Sequence, residues 1–330
     1  MAILVHRPRL LTLLPIVLFI LAMTSAPAAG IVIRHDRDMS QYEALAADSR
    51  YDPVGMIFTD MGGGSGYIGS GTLINDQWVL TAAHVVDEPG FESMTFFDHQ
   101  GSAYNVGHIE LHPNWDGSLS DGWDMALIQL DSAIAHIAPA VLYDETDELG
   151  RVGTTVGYGR QGDGLTGAVT NAGDRLAGQN MLDVFGSAVG YDDRIVLTDF
   201  DHPDDPSVSS FGDSTPLDLE ATTAPGDSGG GTFVEIDGEA YLTAVTSFGA
   251  SFDGEPDSTY GDLSGSIRVS QFINWIGQHT TFETFTAQQQ GAGGDGNGGG
   301  SLVPEPAVLG VMATAAFMLL ASGRRARTMA

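Results

Sequence analysis

The chain has 330 residues, 42% of them hydrophobic, enough for one large core or two small ones with segments to spare at both ends. It contains neither cysteine nor lysine and carries a net charge of −30, so disulfides are excluded and packing has to hold the fold. Between positions 30 and 302, 8 arginines stand against 42 acidic residues, a net of −34; such a surface repels nucleic acid and anionic membranes and suits a saline or otherwise screening environment.

At the amino terminus His6, Arg7 and Arg9 precede an apolar stretch from Leu10 to Met23, and Ala26-Pro27-Ala28 supplies small residues for cleavage. Residues 1–29 therefore read as a secretory signal peptide, and the protein as exported. Residues 30–53 form an N-terminal segment in which Ile31-Val32 follows Ala29-Gly30. From Val54 to Ser270, short apolar or alternating runs are punctuated by Gly, Asp, Asn and Ser, which predicts an all-β domain over 54–287. Strands are expected at 54–59, 68–74, 78–81, 93–97, 106–111, 125–130, 154–158, 232–236, 241–246 and 266–269.

Within that domain, Trp78-Val79-Leu80-Thr81 leads through two alanines to His84, which sets the histidine at the end of a buried strand. Asp124 opens the apolar run Met125-Ala126-Leu127-Ile128 and is buried by it, whereas Asp116 and Asp121 in the same loop are each followed by glycine. Residues 132–150, with Pro139 and an acidic loop, connect two halves at about 54–140 and 150–287. The stretch 198–215, with Asp199, Asp201, Asp204 and Asp205, lacks the regular spacing of a calcium loop and reads as solvated. Phe272, Trp275 and Ile276 share one face of a closing helix.

The most informative segment is Pro225-Gly226-Asp227-Ser228-Gly229-Gly230, a serine on a tight glycine turn. A serine hydroxyl attacks a carbonyl only with a base to take its proton and a third group to fix the base's tautomer. His84, Asp124 and Ser228 are the residues for those roles. Their order and surroundings resemble the trypsin/chymotrypsin-type serine proteases over about residues 54–280.

The resemblance implies two antiparallel six-stranded β-barrels with a C-terminal helix, a monomer without cofactor or metal, and protein or peptide substrates. It assigns Ser228 the acyl-enzyme, His84 the proton transfers, Asp124 the support of the imidazolium, and the N–H groups of Gly226 and Ser228 the oxyanion hole. Ser247, Phe248 and Gly249 would flank the substrate, Thr222 would sit at the base of the primary specificity pocket, and Gly249 and Ser264 on its walls. Threonine at 222 implies cleavage after apolar or small uncharged residues, with Glu220 close by as a source of preference for basic ones. A catalytically silent homologue serving as a surface binding protein is the alternative, and the complete set of three residues argues against it.

In that family a freshly cut Ile-Val terminus pairs with the aspartate before the nucleophile, here Asp227. Ile31-Val32 is followed by Ile33-Arg34-His35-Asp36-Arg37 instead of Gly-Gly, and the stretch before the first barrel strand is about ten residues longer than usual. Either the amine of Ile31 pairs with Asp227 or Arg34 or Arg37 supplies the positive charge, and the arginine arrangement is favoured.

Beyond the domain, residues 288–302 form a Gly-rich spacer. Residues 303–330 place Val303-Pro304-Glu305-Pro306 before an apolar stretch, 307–322, and then Arg324, Arg325 and Arg327. These three parts in order resemble the PEP-CTERM sorting signal of Gram-negative bacteria. The resemblance implies a transmembrane segment with its basic end in the cytoplasm, removal by an exosortase, and delivery to the cell surface, outer envelope or extracellular matrix.

Overall fold

The computed structural model describes residues 30–252 and 257–285; the expected signal peptide, spacer and sorting tail lie outside them. Strands Val54–Gly62, Ser65–Leu73, Trp78–Thr81, Ala126–Leu130, Ala103–Leu111 and Ser93–Phe97 close, in that order, into a six-stranded barrel. Alternation along each strand turns Val54, Ile57, Leu73, Val79, Phe96 and Ile128 into one buried cluster. That cluster continues into the second half through Val156, Phe233, Val245 and Ile267.

The second half is a sheet ordered Leu176–Met181, Val152–Gly157, Gly231–Ile236, Glu239–Ala250, Leu263–Arg268 and Ile195–Asp199, with Val184–Phe185 at its edge. These are the expected six antiparallel strands, but no ladder joins the first to the sixth among the described residues. A side chain spans that seam instead: Asn180 Nδ2 donates to the Asp199 carbonyl at 2.6 Å and to the Ala221 carbonyl at 3.1 Å. The strand Val141–Tyr143, inside the expected connection, pairs in parallel with Glu239–Ala250 and with Thr284–Phe285. The closing helix forms at Ile273–His279 and buries Trp275 and Ile276.

The N-terminal segment is part of the fold. Ile31–Ile33 runs parallel to Gln161–Asp163 and antiparallel to Ala221–Thr222, with all three residues buried. A helix follows at Met39–Ala46, started by Asp38, whose N–H donates to Gln41 Oε1 at 3.2 Å. Its Tyr42 is fully buried and donates its hydroxyl to the Glu220 carbonyl at 3.0 Å.

The 198–215 stretch is only half the solvated loop expected from its composition. Asp204 and Asp205 are exposed, but Asp199 and Asp201 are buried. Asp199 Oδ2 accepts the N–H groups of Ser210 and Phe211 and the Ser209 hydroxyl, so the carboxylate shapes the loop. Among the described residues no cluster of His, Cys, Asp or Glu is arranged to hold a metal ion.

Candidate active site

Antiparallel pairing of Trp78–Thr81 with Ala126–Leu130 sets Thr81 opposite Ala126, so the residues just beyond those strand ends meet. On one side the chain turns into a single helical turn, Ala83–Val86, carrying His84; on the other lies Asp124, fully buried. The Asp124 carboxylate accepts the His84 backbone N–H through Oδ1 at 2.8 Å and faces His84 Nδ1 through Oδ2 at 2.7 Å. That contact places a proton on Nδ1 and leaves Nε2 with a free lone pair. Oδ2 also accepts the Ser247 hydroxyl.

The Ser228 hydroxyl is directed at the Ser247 carbonyl at 3.5 Å, and among the described residues no hydrogen bond joins it to His84. The Ser228 carbonyl accepts the Ser70 N–H at 2.8 Å. Gly69, next to Ser70, leaves room for Val85, whose side chain a Cβ at 69 would meet at 2.5 Å. The turn before Ser228 needs Gly226 at φ +105°, a conformation L side chains rarely adopt. Among the described residues, neither the Gly226 nor the Ser228 N–H has an acceptor, so two donors flank the hydroxyl.

Asp227 points the other way, fully buried, and accepts the N–H groups of Gly159 at 2.8 Å, Ala224 at 2.8 Å and Ile31 at 3.2 Å. Burial without a cation pushes its carboxyl up to about 7, against the pull of those three donors.

Beside Ser228 opens a cleft of about 240 Å³, lined by Thr223, Ala224, Pro225, Thr246, Ser247, Phe248, Gly249 and Ser258, with no charged side chain. Thr222 and Ser264 line a smaller cavity of about 20 Å³ on the other side of Thr223. Their hydroxyls meet at 2.8 Å, and Ser264 Oγ accepts the Thr223 N–H at 3.1 Å.

A profile of the trypsin family matches residues 51–195. Chymotrypsin-like elastase family member 1 of Macaca fascicularis is 28% identical over 242 residues, covering 66% of this chain and 80% of the relative. The chain carries a trypsin-family domain. Brachyurin of Leptuca pugilator is 27% identical over 224 residues, 65% of this chain and 88% of the relative. A snake venom serine protease of Gloydius halys is 38% identical over 105 residues, 29% of this chain and 40% of the venom protein. Neuropsin, a serine protease of mouse brain, superposes with a TM-score of 0.52 over 70% of this chain and 95% of its own, at 21% identity, and shares the fold. The family profile and the sequence relatives make the trypsin-family domain a serine-type endopeptidase.

Two expectations for this domain are corrected. The favoured arginine partner of Asp227 is absent: the strand Ile31–Ile33 carries the chain past Asp227, and Arg34 instead pairs with Asp36 at 2.7 Å and donates to the Leu217 carbonyl at 2.6 Å. Arg37 pairs with Asp36 and Asp218. Glu220 does not face the specificity cleft either; its two oxygens accept the N–H groups of Asp201 and Leu217 in the interior.

One unit of the trypsin-family domain escapes notice in the sequence. The Arg194 guanidinium lies 3.6 Å from the Trp123 ring centroid, and His112 stacks on Trp123 at 4.7 Å. The sandwich braces the residue next to Asp124, and its members come from three distant segments. Burial, with Arg194 nearby, holds His112 below its ordinary pKa.

The buried acids give the domain an unusual pH response. Burial pushes Asp201 up to about 6 and Glu220 up to about 8, and burial with the neighbouring Asp199 raises Asp183. Each holds a proton in the folded chain where the unfolded chain has lost it, so the stability they add is present at low pH and lost as pH rises through 6 to 8. His112 acts in the opposite sense, but only below its unfolded pKa of about 6.5. Asp36 and Asp48, held low by Arg34 and Arg50, titrate below this range. The urea midpoint is therefore expected to fall between about pH 6.5 and 8.5. A flat or rising midpoint would contradict the protonated cluster.

Proposed function

We propose that this domain is an exported endopeptidase that cleaves peptide bonds after apolar or small uncharged residues, using Ser228, His84 and Asp124. The observation that carries the reading is the Asp124 carboxylate gripping both N–H groups of His84, at 2.8 and 2.7 Å, beside the glycine turn of Ser228. An imidazole so held has one tautomer, with Nε2 free to take the Ser228 proton as the hydroxyl attacks the substrate carbonyl. The same proton then passes to the leaving amine, and water repeats the cycle on the acyl-enzyme. The unengaged N–H groups of Gly226 and Ser228 suit the oxyanion, where one such donor is worth about 10²–10³ in turnover.

The uncharged cleft supports the specificity, since no buried anion is available there for a basic side chain. Thr223 and Ala224 line it, and Thr223 is in turn hydrogen-bonded to Ser264, whose hydroxyl meets that of Thr222. Ser247, Phe248 and Gly249 lie along the substrate path. The Ile31 nitrogen, 3.2 Å from Asp227, supports the amine of Ile31 as the activating partner. Export by residues 1–29 and exosortase-dependent sorting by residues 303–330 complete the reading.

The test is covalent labelling by a fluorophosphonate together with a peptide-library cleavage profile. Labelling at Ser228 that disappears in Ser228→Ala, and a preference for uncharged residues before the cut bond, are expected. Absence of labelling in folded, processed protein would make the chain a binding protein, and a preference for Arg or Lys would overturn the cleft argument.

A further inference from the structure

We propose that the bond between Gly30 and Ile31 is cut by the peptidase that removes the export signal, before the strand Ile31–Ile33 docks, so that export itself yields the active enzyme. The inference rests on the proposed pairing of the Ile31 amine with Asp227 and names what makes that amine.

The folded domain gives no access to this bond. Gly30 is buried, Ile31 is 1% exposed, and the strand they open has a partner on each side. The Gly30 N–H donates to the Asp174 carbonyl at 2.6 Å, and a Cβ on Gly30 would lie 2.5 Å from the Gly159 nitrogen and 2.7 Å from the Gly157 carbonyl oxygen. A protease must draw several extended residues into its own cleft, which this strand cannot offer once docked. Once the strand is docked no protease reaches the bond, so the cut precedes docking of Ile31–Ile33, and an export peptidase meets the chain at that stage.

The uncut chain also fits its site poorly. Ile31 has φ +74°, a left-handed conformation that is an outlier for a β-branched residue. The carbonyl carbon of Gly30 defines that angle, and its removal ends the constraint. The Asp227 carboxyl meets a neutral peptide N–H where an ammonium would match its charge. Hydrolysis supplies the ammonium: one water adds across the Gly30–Ile31 C–N bond, the leader leaves with the new carboxylate, and the Ile31 nitrogen takes up protons.

The sequence before the bond fits an export peptidase. Such enzymes require small residues one and three positions ahead of the cut, behind an apolar stretch. Ala28 and Gly30 occupy those positions behind Leu10 to Met23. Ala26 and Ala28 offer the same pattern two residues earlier, but that cut would leave Ala29-Gly30 attached and Asp227 without its cation. Among these two registers the folded site selects the later one. No separate activating protease is then needed, and no latent pool exists after export.

The absence of lysine provides the test, because the terminal amine is the only amine in the mature chain. The full-length Ser228→Ala variant, unable to process itself, is exported from a Gram-negative host, sequenced from its amino terminus, and treated with an N-hydroxysuccinimide ester. The expected terminus is Ile31-Val32-Ile33, with amine modification slow in the native protein and fast after unfolding in urea. A terminus at Gly30 or earlier, or an Ile31 amine that reacts equally fast in both states, would overturn the inference. Fluorophosphonate labelling of the wild-type protein reads the endopeptidase separately. Labelling with an Ala29 terminus refutes this inference alone, and an Ile31 terminus without labelling refutes the proposed chemistry while the inference stands.

Discussion

Replacing Ser228 with alanine is expected to lower kcat about 10⁶-fold on a peptide substrate, and adding His84→Ala is expected to lower it almost no further. The non-additivity is the informative part. His84 contributes by accepting a proton from the Ser228 hydroxyl; with that hydroxyl gone, Nε2 has nothing to deprotonate in the acylation step. The donors at Gly226 and Ser228 belong to the backbone and survive both substitutions, so a residue of catalysis, about 10³–10⁴ over water, remains. Steady-state kinetics on the two single variants and the double variant check this. A double variant slower than Ser228→Ala by another factor of about a hundred would show that His84 works independently of Ser228. Residual turnover above about one part in a hundred would move the nucleophile elsewhere.

The residues that carry this chemistry are readable in the sequence because each stands at a local structural event. His84 follows a buried strand, Asp124 precedes one, and Ser228 sits among glycines; the strand ends then meet because Thr81 pairs with Ala126. The first barrel is legible for the same reason, since Ser93–Phe97 alternates between core and surface and Trp78–Thr81 is a short, almost wholly buried apolar run. Leu176–Met181 escapes this reading because Gly178 and Asn180 interrupt its apolar pattern, although Asn180 closes the seam of the second sheet. Ile31–Ile33 is an apolar run too short to declare a strand, and its burial comes from two partners far along the chain. The helix Met39–Ala46 did leave a signal, Asp38 and Gln41 three residues apart at its start. Arg34 and Arg37 lie in the segment of the strand that passes Asp227, yet local pairing holds them elsewhere, both with Asp36, which the order of residues alone does not reveal.

Asp124→Asn is expected to leave the domain folded while lowering kcat about 10⁴-fold. The carboxylate accepts from three donors: the His84 backbone N–H at Oδ1, and His84 Nδ1–H with the Ser247 hydroxyl at Oδ2. An asparagine amide offers one acceptor and one donor end, so one side of this arrangement must change. With its oxygen toward the His84 N–H, the amide nitrogen faces Nδ1 and Ser247. Nδ1 and the Ser247 oxygen can both accept from it, and only the Ser247 hydroxyl proton loses its acceptor. The cost falls on the tautomer. His84 then carries its proton on Nε2, the atom that should receive the Ser228 proton. The flipped amide would keep the productive tautomer but set its N–H against the His84 backbone N–H, an opposition of two buried donors that costs about 1–3 kcal/mol. The inactive orientation therefore wins, and stability is preserved by the same rotation that removes the base. Thermal unfolding within a few degrees of wild type, with fluorophosphonate labelling slowed in step with kcat, is the expected pair of results. A variant that unfolds at much lower temperature, or one that keeps more than about a tenth of the wild-type rate, would show that Asp124 does not set the tautomer of His84.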